Sequence, residues 1–326
     1  MNKSAVNRNS CNAVNNLSAD NAGLCSRSAG TPIDLDHSVS VSFSFGAHPN
    51  GGEILTPPSV ATNAQGLASV NITSGTKAGV IQVYASTTEG TNTIYSQPVA
   101  LAIYGGLPDY NHFSVYPNLS NVPFVDTLYT QFVNIFVGDK YANPVRPQTV
   151  VYLTSTGGYV QGSIQTDAMG TAKANFVVGN PYPDDPVYGK GYAVITATTI
   201  DENKQNISRS NLVLFSLKPQ IIVNPTTINI PNGGSQPFTY SVSDVNLNPL
   251  SEGTKISVKV LVGTNISVQG DTLITLPDTQ DKNFTHFQFN AFDTNDTINV
   301  ESPAAIKISV TGPNGSATTT ITGTSH

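Results

Sequence analysis

Residues 39–45 read Val39-Ser40-Val41-Ser42-Phe43-Ser44-Phe45, apolar and hydroxylic side chains in strict alternation. In an extended chain successive side chains point to opposite faces, so this stretch predicts a strand with one face on a core and the other in water. Val70–Ile72, Val80–Tyr84, Phe132–Val137, Thr149–Thr154, Ala172–Val178, Ala193–Thr198, Leu212–Leu217 and Phe238–Val242 are further apolar or alternating runs, parted by Gly, Pro, Asn and Asp. Turn signals at intervals of about 8–12 residues mark a sandwich or barrel. No stretch longer than two turns keeps a helical period. The chain is expected to be all-β.

Composition narrows the function. Fifteen Lys and Arg against 21 Asp and Glu give a net charge of −6, and charged residues are only 11% of 326, where roughly 25% is usual. So few cations argue against a nucleic-acid partner, which needs a dense Lys/Arg footprint. A hydrophobic fraction of 38% is enough for sandwich cores and too high for a disordered chain. No apolar run approaches the ~20 residues that span a bilayer, so no membrane span is expected. The first 25 residues hold no apolar core of a signal peptide; either a leader has been removed or the chain is a fragment of a longer one. The two cysteines, Cys11 and Cys25, both fall in this segment. They are read as a disulfide, with two free thiols as the alternative, and a disulfide favours an oxidising, extracellular or periplasmic setting.

Ordered features recur along the chain. The strand at residues 39–45 leads to Gly51-Gly52 and then Thr62-Asn63-Ala64-Gln65-Gly66; the strand at 150–154 leads to Gly157-Gly158 and then Thr166-Asp167-Ala168-Met169-Gly170. Thr-[Asn/Asp]-x-x-Gly predicts a tight turn in which Asn or Asp bonds its own backbone and Gly takes a positive φ. A second element, Val137-Gly-Asp139-Lys-Tyr-Ala-Asn143-Pro144-Val145, returns as Val242-Ser-Asp244-Val-Asn-Leu-Asn248-Pro249-Leu250. Each ends an apolar strand, with Asp placed to bond nearby amides and Asn held extended before Pro.

These residues resemble bacterial immunoglobulin-like domains of the invasin/intimin kind. Residues 110–218 carry the whole pattern in order: Asp139, Asn143-Pro144-Val145, Gly157-Gly158, Thr166-Asp167, Gly170 and Ala172. Residues 37–104 match its second half, with the Cys11–Cys25 segment in place of the Asp and Asn-Pro element; residues 219–326 keep Asp244 and Asn248-Pro249 and lose the later turn. The resemblance implies three tandem immunoglobulin-like β-sandwiches, at 1–106, 107–218 and 219–326. Short linkers at Gly105-Gly106-Leu107-Pro108 and Lys218-Pro219 predict a semi-rigid rod.

Little in the sequence points to chemistry. None of the five histidines has a metal-binding spacing, and Gly-x-Ser-x-Gly is absent, so a non-enzymatic protein is expected and no cofactor is implied. Calcium is the one candidate ion, since Asp34-Leu-Asp36, Asp184-Asp185, Asp201-Glu202 and Asp278 with Asp281 are loop carboxylates of the kind Ca2+ prefers; solvated turn acids are the plainer reading. Tyr182-Pro-Asp184-Asp185-Pro-Val-Tyr188 lies in a stretch longer than its counterpart between Gly66 and Gly79, and is the candidate for an exposed binding loop; a loop that only caps the end of the sandwich is the plainer reading.

The expected function is structural or adhesive, at a bacterial cell surface: a stalk, or a subunit of a self-assembling filament or layer. Partners would be copies of itself, other surface proteins, or glycans. Assembly would follow if the first domain lacked its own first strand and accepted one from a neighbour. The alternative is a carbohydrate- or receptor-binding module of an adhesin, phage particle or secreted hydrolase.

Overall fold

The computed structural model describes residues 10–14, 20–26, 38–125, 129–297 and 300–326, with backbone alone for 10–14, 20–26 and Glu89. Its regular structure is β-strand, apart from short 3-10 turns at Tyr110–His112 and Lys282–Thr285. The sheets come in three successive pairs.

The first pair uses β1 (Ser10–Val14), β2 (Asp20–Ser26), β3 (Ser40–Phe45), β4 (Ile54–Thr56), β5 (Ser59–Ala61), β6 (Leu67–Thr73), β7 (Gly79–Glu89), β8 (Asn92–Tyr95) and β9 (Val99–Ile103). One sheet orders β1-β2-β6-β4 and the other β5-β3-β7-β8, with β9 also paired to β7. As the alternation predicts, Val41 and Phe43 are buried with Ala68, Val70, Ile81, Val83 and Ala85, while Ser40, Ser42 and Ser44 face solvent. The cysteine-bearing segment supplies β1 and β2, and β2 pairs with β6 from Asp20↔Asn71 to Leu24↔Leu67. The condition set for strand donation, a first domain without its own first strand, is not met in this sheet, where β2 lies beside β6 and β1 beside β2.

The second pair uses β10 (Phe113–Pro117), β11 (Asn121–Pro123), β12 (Tyr129–Val137), β13 (Val150–Ser155), β14 (Tyr159–Val160), β15 (Ser163–Gln165), β16 (Thr171–Val178), the hairpin β17 (Asp184–Asp185) and β18 (Gly189–Lys190), β19 (Tyr192–Ile200) and β20 (Asn206–Ser216). Its sheets are β10-β12-β16-β14 and β11-β20-β19-β13-β15. The third pair uses β21 (Gln220–Asn224), β22 (Thr227–Ile230), β23 (Ser235–Ser243), β24 (Lys255–Val262), β25 (Ile266–Gly270), β26 (Leu273–Thr275), β27 (His286–Asp293), β28 (Ser302–Gly312) and β29 (Gly315–Ser325). It repeats the plan as β21-β23-β27-β25 and β22-β29-β28-β24-β26. β11 runs parallel to β20 and β22 parallel to β29, beside antiparallel ladders such as β12–β16, β19–β20 and β28–β29. Phe238 and Phe289 stack at 4.9 Å in the third core, among Ile230, Leu250, Ile256 and Ile306. Thr and Ser take the wet faces, where Thr196–Ser210 and Thr198–Ser208 share hydroxyl bonds of 2.8 Å across strands.

The turns are built as their residues require. Asn63 Oδ1 accepts from the amides of Gln65 and Leu67, both at 3.0 Å, and Gly66 closes that turn at φ +74°. Asp167 accepts from Thr171 N at 2.9 Å, and Gly170 takes φ +70°. A Cβ on Gly158, at φ +67°, would stand 2.7 Å from Val177 O, so the double glycine answers a close approach of backbone to backbone.

The chain gathers into two compact units. One is Met1–His112 with Val137–Pro147 and Ala168–Gly170; the other is Phe113–Phe136, Gln148–Asp167 and Thr171–His326, which holds the third sheet pair as well.

Candidate functional site

The recurring Asp and Asn-Pro element is a precise piece of hydrogen bonding. Where β12 ends, Asp139 Oδ1 accepts from the amides of Tyr141 and Asn143, each at 2.9 Å, and Ala142 is held at φ +64°. Asp139 Oδ2 accepts from Gly106 N at 2.8 Å, in the segment that follows β9. Asn143 completes the fastening: its Nδ2 donates to Thr76 O at 2.9 Å and its Oδ1 accepts from Ala78 N at 3.0 Å. These bonds explain why residues 137–147 belong to the first unit. Asp139 is 3% exposed. Burial alone would raise its pKa, but the bonds from Gly106, Asn143 and Tyr141 outweigh it and hold the carboxyl below its ordinary 3.8.

Asp244 repeats the arrangement atom for atom. Oδ1 accepts from Asn246 N at 2.8 Å and Asn248 N at 2.9 Å, and Leu247 sits at φ +62°. Oδ2 accepts from Leu217 N at 3.1 Å, just past β20. Asn248 Nδ2 donates to Lys190 O at 3.0 Å. Thr76 and Lys190 both lie in the approach to the strand that Gly79 or Gly191 introduces, so each Asn reaches the same place in its neighbouring sandwich. The element therefore does more than the turn its sequence announces: Asp244 and Asn248 fasten the third sheet pair to the second, and Asp139 and Asn143 tie residues 137–147 into the first unit.

Around Asp244 the second and third sheet pairs share a buried polar cluster. Asn121 Nδ2 donates to Pro249 O at 2.9 Å, Leu250 O at 3.1 Å and Thr279 O at 2.9 Å, while its Oδ1 accepts from Ser216 Oγ at 2.7 Å. Asn314 Nδ2 donates to Ser216 O at 2.9 Å and Leu217 O at 3.1 Å, and its Oδ1 accepts from Ser251 N at 2.8 Å. Asp278 accepts from Ser120 N at 2.8 Å and Asn121 N at 2.9 Å. Asn121, Ser216, Ser251 and Asn314 are all essentially buried, and such groups are tolerated only when bonded. Sequence reading passed over them, because nothing local distinguishes an Asn that bonds to a chain segment far away in sequence. Beside the cluster lies a cleft of about 620 Å3 lined by Phe124, Val178, Leu217, Pro219 and Val245.

The candidate binding loop is assembled differently from its sequence reading. Tyr182 is half-buried against Phe124 at 5.1 Å; its hydroxyl donates to Phe215 O and accepts from Asn246 Nδ2, both at 3.0 Å. Burial, with the charge of Asp244 added, pushes its pKa up to about 12. Tyr182 is thus part of the joint, while Asp184, Pro186, Val187, Tyr188 and Lys190 are exposed on the hairpin. Asp185 accepts from the amides of Val187 and Tyr188 at 2.8 and 2.9 Å, leaving Asp184 exposed beside it.

Of the loop carboxylates singled out for calcium, Asp185, Asp201, Asp278 and Asp281 accept from backbone amides. Asp201 makes the same turn as Asp139 and Asp244, accepting from Asn203 N and Gln205 N at 2.8 Å with Lys204 at φ +61°. Asp281 caps the 3-10 turn at Asn283 N. Among the described residues no three His, Cys, Asp or Glu side chains form a metal-binding group. Asp34 and Asp36 lie outside the described residues. Cys11 and Cys25 are described as backbone only, where they stand directly opposite each other in the β1–β2 ladder.

No family model matches the chain, and no curated protein matches its sequence. Solved structures do. The Escherichia coli adhesin FdeC is 10% identical over 97% of this chain and 96% of its own, with a TM-score of 0.51. The D0-D1 domain of intimin is 19% identical over 60% of this chain and 89% of its own, at a TM-score of 0.23. The Yersinia pseudotuberculosis adhesin InvE is 15% identical over 67% and 60%, at 0.28. At this identity the likeness to FdeC speaks for the fold alone, successive β-sandwiches, and assigns no role.

Proposed function

We propose that this chain is a non-enzymatic, adhesin-like protein of the bacterial cell surface, in which sandwiches at 1–106, 107–218 and 219–326 act in series as a stalk. The observation that carries this reading is the repeated fastener. Asp139 with Asn143 and Asp244 with Asn248 each spend a carboxylate and an amide on tying one sandwich to the segment and loop before it. A chain that spends buried Asp and Asn side chains on such joints is built to hold modules in order. The match to FdeC along nearly the full length of both chains supports the same setting.

Surface placement is tested by probing intact cells that make the protein with antibody and with added protease. The expected result is labelling and cleavage without lysis; signal that appears only after lysis refutes the reading. Light scattering in native buffer separates the two structural roles, since a stalk gives a single species near 34.3 kDa and a filament or layer subunit gives large assemblies.

A further inference from the structure

The outer face of the β10-β12-β16-β14 sheet presents an aromatic surface that the fold does not require. Tyr116, Phe132, Phe136 and Tyr159 point outward and are 39%, 47%, 43% and 61% exposed. Tyr116 and Phe136 stack across β10 and β12, with ring centroids 5.9 Å apart and planes within 11°. Phe132 and Phe136 are separated along β12 by about 13 Å, four residues of extended chain, with Asn134 between them. The third sheet pair makes the point by contrast. Counting back from Asp244 as from Asp139, the matching residues on β23 are Pro237, Thr239 and Ser241. The same strand in the same fold is thus built without exposed rings.

The groups between the rings are amides. Asn134 Nδ2 donates to Asn118 Oδ1 at 2.7 Å, which leaves one amide hydrogen-bond donor group and one carbonyl acceptor of that pair directed to no described partner, whichever way the two amides are turned. Asn175 and Gln161 form a second, looser amide pair across β16, at 3.5 Å. Lys173 stands opposite Asn134 in the β12–β16 ladder, and it is the one charged residue among the described outward positions of these strands. Among the described outward positions of these strands there is no carboxylate, although the chain as a whole carries −6.

Flat rings interleaved with neutral donors and acceptors match one ligand chemistry. The apolar faces of pyranose rings lie against aromatic rings, and their hydroxyls take amide bonds, while a face nearly free of charge selects against ionic partners. We infer that the Tyr116–Phe132–Phe136 face of the second sandwich is a binding platform for neutral oligosaccharides. This deepens the adhesive reading and rests on it: the platform would be the means by which a surface stalk attaches.

The test uses the whole chain on an array of neutral hexose and N-acetylhexosamine oligosaccharides, with sialylated and sulfated glycans as charged controls. The expected result is retention of neutral glycans, weakened at least tenfold in F132S/F136S and also in Y116S, with circular dichroism unchanged. Tyr116 offers a second readout, as tyrosine fluorescence should change on titration with a retained glycan. The inference is overturned if the native chain retains no neutral glycan, if F132S/F136S retains them equally, or if the substitutions instead abolish a dimer in light scattering. A chain found on intact cells that retains no glycan removes the platform and leaves the surface reading standing.

Discussion

Asp244 divides its labour between two oxygens, and two substitutions separate them. Oδ1 holds the turn through the amides of Asn246 and Asn248, and Oδ2 holds Leu217 N at 3.1 Å. Asp244→Ala strands three backbone amides at a position of 0% exposure, and an unmet buried donor costs about 1–3 kcal/mol. Allowing for relaxation, a loss of about 3–5 kcal/mol is expected. Asp244→Asn keeps a carbonyl oxygen for the turn and puts an NH2 group against Leu217 N, so only the linker bond is lost, at about 1–2 kcal/mol. For a unit of this size each kcal/mol moves Tm by about 2–4 °C. Calorimetry should therefore show the transition of the second unit roughly 10 °C lower in Asp244→Ala, and roughly 4 °C lower in Asp244→Asn. The chain has no Trp, so circular dichroism in urea is the companion assay. A loss below 1 kcal/mol in Asp244→Ala would refute the assignment of the element as a fastener, and equal losses in the two variants would refute the division between oxygens.

Three further outcomes follow from the geometry. Asn121→Ala removes the donor to three carbonyls and the acceptor for Ser216 Oγ; a loss of about 2–4 kcal/mol is expected in the same calorimetric transition. The opposition of Cys11 and Cys25 in the β1–β2 ladder predicts a disulfide, so neither thiol should alkylate without prior reduction, and reduction should lower stability by about 3 kcal/mol. Asp139 is held below its ordinary 3.8, so its contribution is present in full above that value and is lost as the pH falls below it through the folded-state pKa. Unfolding followed from pH 6 to pH 2 should show that acid loss in the native chain, and less of it in Asp139→Asn.

What could be read in the sequence was whatever chemistry stays local. Val39–Phe45 states its own alternation, and Asn63, Asp139, Asp167 and Asp244 announce turns because their partners are a few residues away. The second task of Asp139 and Asp244 stayed hidden, since Gly106 and Leu217 lie in other parts of the chain. Asn121, Ser216 and Asn314 were invisible for the same reason. The burial of Tyr182 is not legible because Pro and Asp around it read as exposed loop, while its ring packs on Phe124 and its hydroxyl reaches Phe215 O. The aromatic platform was masked by its own strand: Val133, Ile135 and Val137 are buried, so Phe132–Val137 reads as one apolar run and the outward rings pass for core.

The parallel strands β11 and β22 have a mechanical consequence. β11 lies beside β20 from Asn121↔Leu214 to Pro123↔Ser216, and β22 lies beside β29 from Thr227↔Thr322 to Ile230↔Ser325. In each case a strand near the entry of a sandwich runs alongside the strand by which the chain leaves it. Tension applied through the chain drags such neighbours past each other along their length, so their ladder bonds are loaded together in shear. An antiparallel hairpin pulled from its open end would instead unzip, one bond after another. In the second sandwich the Asn121–Ser216 bond ties this same ladder, so a tug reaching it would have to break the joint and the strand pair at once.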